Sequence, residues 1–335
     1  MSEIMRAVEV KGGKGNADAL FINPKTPKPV PKENEVVVRV KAFGINRMDI
    51  IQRNGLYTPP LGASSTLGLE YSGTIASLGS DAGDGWKIGD SVFGLAYGGA
   101  YAEYVAVNVK SLIRKPASLT DVEACSLPQT WMTAAQALHM VLNVDKGKTC
   151  LWHAGASGVG IAGIQLARLA GANAVYATAG TDEKCDYITS RIGADAAFNY
   201  KTQDWVEEIK RATGNLGVDY IFDFIGQDYF QKNLEVAAQG GSIAILAFLS
   251  GSKIPDGDVS KLLYKHLTVK GSSLRGRDLA YQSQLRDRLE SYMPAFEKGD
   301  LRIIVDKVFP WEEIVGAHEY MEAANNTGKI VCTVS

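Results

Sequence analysis

The segment best suited to ligand chemistry is glycine-rich and joins an apolar strand to a helix. It reads Trp152-His-Ala-Gly-Ala-Ser-Gly-Val-Gly-Ile, with glycines at positions 155, 158 and 160. Gly155 permits a tight turn, whereas Gly158 and Gly160 leave room for the backbone to approach a pyrophosphate. The helix that begins here directs backbone N–H groups toward an anion. A turn that only connects strand to helix is the alternative, but the context favours a dinucleotide site.

The residues after the next strand indicate which dinucleotide is bound. NAD-binding folds usually place a carboxylate there for the ribose 2′-hydroxyl. Here the strand ends Ala177-Thr-Ala-Gly180 without an acid, and Asp182 and Glu183 come later, where they suit the first turn of a helix. Lys184 can offer a cation to a 2′-phosphate and Tyr200 a hydroxyl, although a solvated helix lysine is an equally ordinary role for Lys184. We therefore expect NADPH in preference to NADH.

The region between about 128 and 271 reads as apolar strands alternating with helices. The candidate strands are Thr149–Ala154, Asn173–Thr178, Ala196–Tyr200, Val218–Phe224, Ser242–Ala247 and Leu267–Gly271. Strands joined by helical crossovers pair in parallel, so this α/β region predicts a doubly wound sheet covered on both faces. A nucleotide site is expected at the carboxyl ends of its strands.

The flanking regions follow a different pattern. From the start to about residue 125, short alternating runs separated by Gly and Pro turns read as mostly β structure. The later region predicts a helix around Gln282–Glu297, an extended Ile303–Phe309, a helix around Trp311–Ala324 and a last strand Lys329–Val334. We expect this tail to rejoin the first domain.

The composition narrows the class of partner. A chain of 335 residues is long enough for two domains, and its net charge of -2 leaves no basic face for nucleic acid or an anionic membrane. The longest apolar run is far shorter than the roughly 18 residues of a membrane span, and Met1–Arg6 lacks the apolar stretch of a secretory signal. The four cysteines are widely spaced, which favours reduced, buried thiols. We expect a soluble, cytoplasmic protein that acts on a small molecule.

Three segments of the first domain carry a family resemblance. They are Gly44-Ile-Asn-Arg-Met-Asp49, Arg53-Asn-Gly-Leu-Tyr57-Thr-Pro-Pro and Leu67-Gly-Leu-Glu70-Tyr-Ser-Gly73. The chain resembles the zinc-free quinone oxidoreductases of the medium-chain dehydrogenase/reductase superfamily, the group of ζ-crystallin. Within that group it is most similar to the tumour-suppressor-inducible branch, on the strength of Trp86-Lys-Ile-Gly-Asp, His139, Ser260-Lys-Leu-Leu-Tyr-Lys and Met321-Glu-Ala-Ala-Asn-Asn-Thr-Gly-Lys.

The resemblance implies a GroES-like β-rich domain interrupted by a doubly wound Rossmann domain. The first would comprise residues 1–127 and 272–335 and the second residues 128–271, with NADPH in the cleft between them. By similarity, Asn46, Asp49 and Tyr57 would line the substrate side, although an aromatic beside prolines often only packs a loop. The residues implied to bind the cofactor are Thr133, Gly155, Ser157, Gly158, Val159, Gly160, Gly180, Lys184, Tyr200, Ala247, Phe248, Ser273, Leu274 and Asn326. The resemblance also suggests a homodimer formed by pairing of edge strands, which Leu267–Gly271 would supply.

The positions that hold zinc in alcohol-dehydrogenase relatives carry other residues. They read Asn46 and Gly68-Leu69-Glu70, and the four-cysteine lobe of those relatives is missing. None of His139, His153, His266 or His318 has a close partner at ligand spacing. We therefore predict that the protein binds no metal.

Without a Lewis acid, alcohol oxidation loses its main electrostatic support, so an acceptor that takes a hydride readily is favoured. Quinones meet that condition because their reduction restores aromaticity. The hypothesis is that Asn46 orients the carbonyl, that Tyr57 donates a hydrogen bond or proton, and that Asp49 orients its neighbours.

Two other functions stay open from the sequence. One is NADPH-dependent reduction of activated double bonds in enones, alkenals or 2-enoyl thioesters, whose hydride chemistry is closely similar. The other is a structural, regulatory or RNA-associated role for an NADPH-binding protein.

Overall fold

The computed structural model describes residues 3–83 and 85–335. Contacts between Cα atoms divide the chain into two compact units. The first unit comprises Met1–Met132 and Arg275–Ser335, and the second comprises Thr133–Leu274. Each unit has its own sheet.

The first unit is built on a seven-stranded sheet in the order β14-β15-β3-β4-β5-β7, with β6 also paired to β3. Its strands are β3 (Glu35–Ile45), β4 (Glu70–Leu78), β5 (Ser91–Leu95), β6 (Tyr104–Asn108), β7 (Leu112–Arg114), β14 (Val305–Pro310) and β15 (Lys329–Thr333). A separate antiparallel pair is formed by β1 (Ile4–Val10) and β2 (Leu20–Pro27). Because β15 pairs antiparallel with β3, the late strand Lys329–Thr333 belongs to the same sheet as the early strand Glu35–Ile45.

Short helices complete the first unit. They are α1 (Arg47–Arg53), α2 (Asp121–Cys125), the beginning of α3 (Pro128–Ala135), α9 (Leu279–Ser291), α10 (Met293–Lys298) and α11 (Ile314–Glu322). The helix predicted around Gln282–Glu297 is two helices, because Pro294 at the start of α10 removes a backbone donor and favours a helix beginning there.

The second unit is a six-stranded parallel sheet in the order β10-β9-β8-β11-β12-β13. Its strands are β8 (Thr149–Trp152), β9 (Ala174–Ala179), β10 (Ala196–Asn199), β11 (Val218–Asp223), β12 (Ala237–Ile245) and β13 (Thr268–Gly271). The connecting helices are α4 (Gly158–Leu169), α5 (Asp182–Tyr187), α6 (Trp205–Ala212), α7 (Gln227–Val236) and α8 (Ser260–Tyr264). The strand ends lie within two residues of the predicted ones, except that β12 begins five residues earlier than Ser242, where Ala237 pairs with Val218 before a shift of register.

The central strands of the second unit are buried on both faces by the helices that connect them. Ile221 and Phe222 in β11, like Leu151 in β8, are completely buried, as expected for strands covered on both faces. All four cysteines are buried and free. Among the described residues, the helices are too short or too polar to cross a membrane.

Candidate functional site

The glycine-rich segment forms the turn between β8 and α4. Ser157 is the N-cap of α4, and its hydroxyl accepts a hydrogen bond from the Gly160 backbone N–H at 3.0 Å. Gly158 and Val159 contribute the first two backbone N–H groups of the helix, which have no acceptor within it. A Cβ on Gly155 would lie 2.7 Å from the Ala177 Cβ, so this position requires glycine for the turn to lie against β9. The turn can therefore present backbone donors and a helix dipole to a phosphate.

The loop after β9 lies beside the loop after β10, since these strands are neighbours. A Cβ on Gly180 would lie 2.8 Å from the Tyr200 hydroxyl and 3.5 Å from Lys201 Cε. Asp182 accepts a hydrogen bond from the Asn199 side chain at 2.7 Å, so its carboxylate already has a partner at the start of α5. Lys184 lies in α5, half-buried. This arrangement groups hydroxyl and ammonium donors near Gly180.

The other expected cofactor residues are distributed along both units. Ala247 and Phe248 follow β12, Ser273 and Leu274 follow β13, and Thr133 lies in α3. The carboxyl ends of the parallel strands thus carry the glycine-rich turn, Gly180, Tyr200 and the residues after β12 and β13 along one edge of the sheet. Asn326 belongs to the first unit, and its amide donates to the Gly328 carbonyl oxygen at 2.7 Å.

A buried ion pair holds Asn46 in the first unit. Lys329 Nζ pairs with the Glu70 carboxylate and donates to Asn46 Oδ1 at 2.6 Å, while Asn46 Nδ2 donates to Glu70 Oε1 at 2.9 Å. Glu70 is fully buried and Lys329 is 4% exposed. Gly44 makes this possible, because a Cβ there would collide with Glu70 and lie 2.6 Å from Lys329 Cε. Neither Glu70 nor Lys329 was predicted as a site residue, although both lie within segments that carry the resemblance.

Asp49 is the carboxylate nearest to Asn46 in sequence and is 1% exposed. It accepts hydrogen bonds from the backbone N–H groups of Asn46 at 2.8 Å and of Gly68 at 3.2 Å, and from the Tyr101 hydroxyl. Burial raises the pKa of Asp49 to about 6, against the lowering effect of these donors and of Lys329. Asn46 and Asp49 therefore form one rigid polar cluster at the start of α1.

A chain of hydrogen bonds connects Arg53 to Asp49 through His318 and Tyr101. Arg53 Nη1 lies 3.1 Å from His318 Nδ1, and His318 Nε2 lies 3.2 Å from the Tyr101 hydroxyl. Because arginine only donates, Nδ1 must accept and the proton of neutral His318 must lie on Nε2. Burial lowers the pKa of His318 to about 3, which keeps the ring neutral. The Tyr101 oxygen thus accepts from His318, and its proton is directed to Asp49.

Tyr57 lies in the loop between α1 and β4 and is half-buried. The Arg275 guanidinium carbon lies 5.4 Å from the centre of its ring. Arg275 also donates to Gln52 Oε1 at 2.6 Å and to the Tyr97 carbonyl oxygen at 2.7 Å. The partners of Arg275 are scattered along the chain, so no local sequence pattern specifies these contacts.

The donor set of the first unit does not fit a zinc ion. Asn46 offers an amide already held by two partners, and the Glu70 carboxylate is committed to Lys329, Asn46 and the Gln129 backbone N–H. Within residues 3–83 and 85–335, no group of three His, Cys, Asp or Glu side chains is arranged to hold a metal.

Two family matches cover parts of the chain. Residues 32–117 match the alcohol dehydrogenase GroES-like domain, and residues 158–291 match the zinc-binding dehydrogenase family. A synaptic vesicle membrane protein VAT-1 homolog of Danio rerio is 30% identical over 96% of this chain and 68% of its own length. The quinone oxidoreductase of Homo sapiens is 28% identical over 98% of both chains.

Solved structures of related enzymes have the same fold as this chain. An NAD-dependent alcohol dehydrogenase is 31% identical with a TM-score of 0.86, covering 99% of this chain and 100% of its own. A mycobacterial protein complexed with NADPH is 28% identical with a TM-score of 0.86, covering 98% and 99%. The CurK enoyl reductase is 28% identical with a TM-score of 0.84, covering 99% and 100%.

This chain belongs to the medium-chain dehydrogenase/reductase superfamily. The predicted fold class, a GroES-like domain with a doubly wound Rossmann domain, is confirmed. The predicted similarity to quinone oxidoreductases is confirmed as well, while the tumour-suppressor-inducible branch stays a prediction. The chain is thus an oxidoreductase with an NAD(P)-binding Rossmann domain.

Proposed function

We propose that this protein reduces quinones with NADPH and without a bound metal. The observation that carries the proposal is the buried Glu70–Lys329 ion pair, which engages Asn46 where relatives place a zinc ligand. A chain whose polar groups are committed in this way suits an acceptor that needs no Lewis acid. NADPH supplies the hydride, and a quinone accepts it readily because its ring becomes aromatic.

The residues of the first unit have distinct roles in this proposal. Asn46 keeps one amide hydrogen weakly engaged, at 3.4 Å from the Gly44 carbonyl oxygen, and this hydrogen is offered to the acceptor carbonyl. Tyr57 donates a proton to the oxygen that becomes negative. Asp49 holds the Asn46 and Gly68 backbone in place through its two carboxylate oxygens.

Replacing Tyr57 by Phe and Asn46 by Ala tests these roles. With NADPH and 1,4-benzoquinone, we expect Tyr57→Phe to lower kcat by about 10²-fold or more, the range of a lost general acid. NADPH affinity should stay nearly unchanged in both variants. Tyr281→Phe, which removes the hydroxyl of another half-buried tyrosine of the first unit, is the matched control. Unchanged turnover in both variants would remove these residues from the mechanism.

The preference for NADPH is the second part of the proposal. The Tyr200 hydroxyl beside Gly180, Lys184 in α5 and the engagement of Asp182 by Asn199 support binding of a 2′-phosphate. Lys184→Ala should weaken NADPH binding and leave NADH binding unchanged, as measured by titration of nicotinamide fluorescence. A wild-type preference for NADH would contradict this part.

Reduction of activated double bonds is the second candidate, favoured by the similarity to the CurK enoyl reductase. Its hydride chemistry places the same demands on the second unit. Parallel assays with 1,4-benzoquinone, a simple enone and an enoyl thioester separate the two, with nicotinamide absorbance as the readout. No consumption of NADPH with any acceptor would favour a binding protein without catalytic activity.

A homodimer is also part of the proposal. Strand β13 lies at one edge of the six-stranded sheet, and Thr268 and Lys270 on it are exposed. A free edge of this kind pairs readily with a second copy. Light scattering after size exclusion should give twice the chain mass, and Val269→Pro, which removes a backbone donor, should shift it toward the monomer.

A further inference from the structure

Arg275 is a buried cation with an unusual set of partners. It is 6% exposed, and its two terminal nitrogens are used by Gln52 and by the Tyr97 carbonyl oxygen. Its Nε–H is buried without a hydrogen-bond partner in the described part of the chain. None of the salt bridges among residues 3–83 and 85–335 includes it.

This environment is costly for a positive charge. Burial lowers the pKa of Arg275, and only Tyr57, Asp49 and Tyr97 oppose that effect through their negative charge or potential negative charge. A buried cation without an adjacent carboxylate is rare, and such groups are concentrated at functional sites. Of the three, Tyr57 is the one whose ring lies against the guanidinium, at 5.4 Å.

We propose that Arg275 is a positioning residue for Tyr57, which holds its ring and stabilises the negative charge that forms on its oxygen during proton donation. This rests on the proposed function. When Tyr57 donates, its O–H bond breaks, an O–H bond forms on the acceptor oxygen, and the electron pair stays on the tyrosine oxygen. Bound NADPH would supply the hydride that reduces the acceptor, leaving NADP⁺, and a proton from water would restore the tyrosine.

The geometry explains why arginine occupies this position. A planar guanidinium can bind Gln52 and Tyr97 at its edge while its face lies over an aromatic ring. A lysine ammonium is a compact charge and cannot keep both anchors together with the ring contact. Arg275→Lys therefore retains the charge and loses the orientation.

The same loop contains a matched control. The Arg277 guanidinium carbon lies 4.7 Å from the centre of the Tyr281 ring, so it makes the same kind of contact two residues further along. Arg277 is only half-buried, and its ring partner is not a proposed proton donor. Arg277→Gln removes an equivalent cation–ring contact without touching Tyr57.

The test is a double-mutant cycle with NADPH and 1,4-benzoquinone. We expect Arg275→Gln to lower kcat about tenfold, which corresponds to about 1.4 kcal/mol, with Arg277→Gln within twofold of wild type. In the Tyr57→Phe background, Arg275→Gln should cost less than about twofold, because residues that act as a unit are not additive. Equal losses in both backgrounds would overturn the proposal.

Chemical rescue guards against a merely structural effect. Guanidinium ion at millimolar concentration should raise kcat of Arg275→Ala several-fold and leave Arg275→Ala/Tyr57→Phe unchanged. A urea midpoint for Arg275→Gln close to that of Arg277→Gln is expected alongside. Absence of rescue together with a low midpoint would mean that Arg275 only stabilises the fold.

The two levels of proposal fail in different ways. If Tyr57→Phe turns over like wild type, the proposed proton donor is wrong and the role of Arg275 is wrong with it. If Tyr57→Phe is slow while the Arg275 effect is additive, only the role of Arg275 is wrong.

Discussion

Each unit contains a buried carboxylate within a polar network, and the two networks compensate that carboxylate with different partners. In the first unit, Asn46 lies between two full charges, Glu70 and Lys329. In the second unit, His153 Nε2 lies 2.7 Å from Asn233 Oδ1, and Asn233 donates to Asp223 at 3.0 Å. Here the only carboxylate is held by side-chain and backbone amides, without a cation.

The difference concerns what remains when one member is removed. Deleting a charged partner leaves a buried ion uncompensated, whereas deleting a neutral partner leaves unsatisfied dipoles. The charged network lies at the proposed acceptor residues, and the neutral one lies at the carboxyl ends of β8 and β11. We infer that removing one member of the network lowers the free energy of unfolding more in the first unit than in the second.

Removal of Lys329 is expected to have the largest effect. Lys329→Met leaves Glu70 fully buried and without its cation, which should reduce the free energy of unfolding by about 3–5 kcal/mol. Urea unfolding measures this, and Lys148→Met, which removes an exposed lysine paired with Asp219, should change the free energy of unfolding far less, because solvent screens that pair. Because Glu70→Gln removes the stranded charge, the double variant should be more stable than Lys329→Met alone. Equal stability of the two lysine variants would contradict the comparison.

Much of the second unit was predictable from the sequence because its signals are local. The turn from β8 to α4 is set by glycines within six residues, and the strands of the second unit follow from their apolar runs. The polar contacts of the first unit were not. Lys329 meets Asn46 across 283 positions, and Arg275 meets Gln52 across 223. Such contacts depend on how β15 packs on β3 and how the loop that contains Arg275 packs on α1, and no local sequence pattern specifies this packing.

Removal of Asn233 is expected to have an intermediate effect. Asn233→Leu keeps the branched shape of the side chain but leaves the His153 N–H and one Asp223 oxygen without a partner, at a cost of about 1–3 kcal/mol. The free energy of unfolding in urea measures this. Gln239→Leu, at an exposed amide, should cost less than about 0.5 kcal/mol. A loss as large as that of Lys329→Met would mean that charge is not what distinguishes the two networks.

The pH dependence of the neutral network is expected to give the smallest effect. Burial lowers the pKa of His153 to about 4 and raises that of Asp223 to about 6. Between the ordinary histidine pKa of about 6.5 and a pH of about 4, His153 binds a proton in the unfolded chain but not in the folded chain. The contribution of His153 to the free energy of unfolding therefore falls as the pH drops from 6.5 toward 4. Asp223 acts in the opposite direction, because between about 6 and 3.8 the folded chain binds the extra proton. The two nearly cancel in wild type.

His153→Gln exposes this cancellation. Its destabilisation should shrink by about 1–2 kcal/mol between pH 7 and pH 5, since the acid penalty of the buried imidazole is gone while the Asp223 contribution stays. Urea unfolding at both pH values measures the change, with His266→Gln, at an exposed histidine, as the control. If the cost of His153→Gln were the same at both pH values, the folded chain would protonate this imidazole on acidification as readily as the unfolded chain does. Asn233 would then have to balance a charge, and the second network would resemble the first.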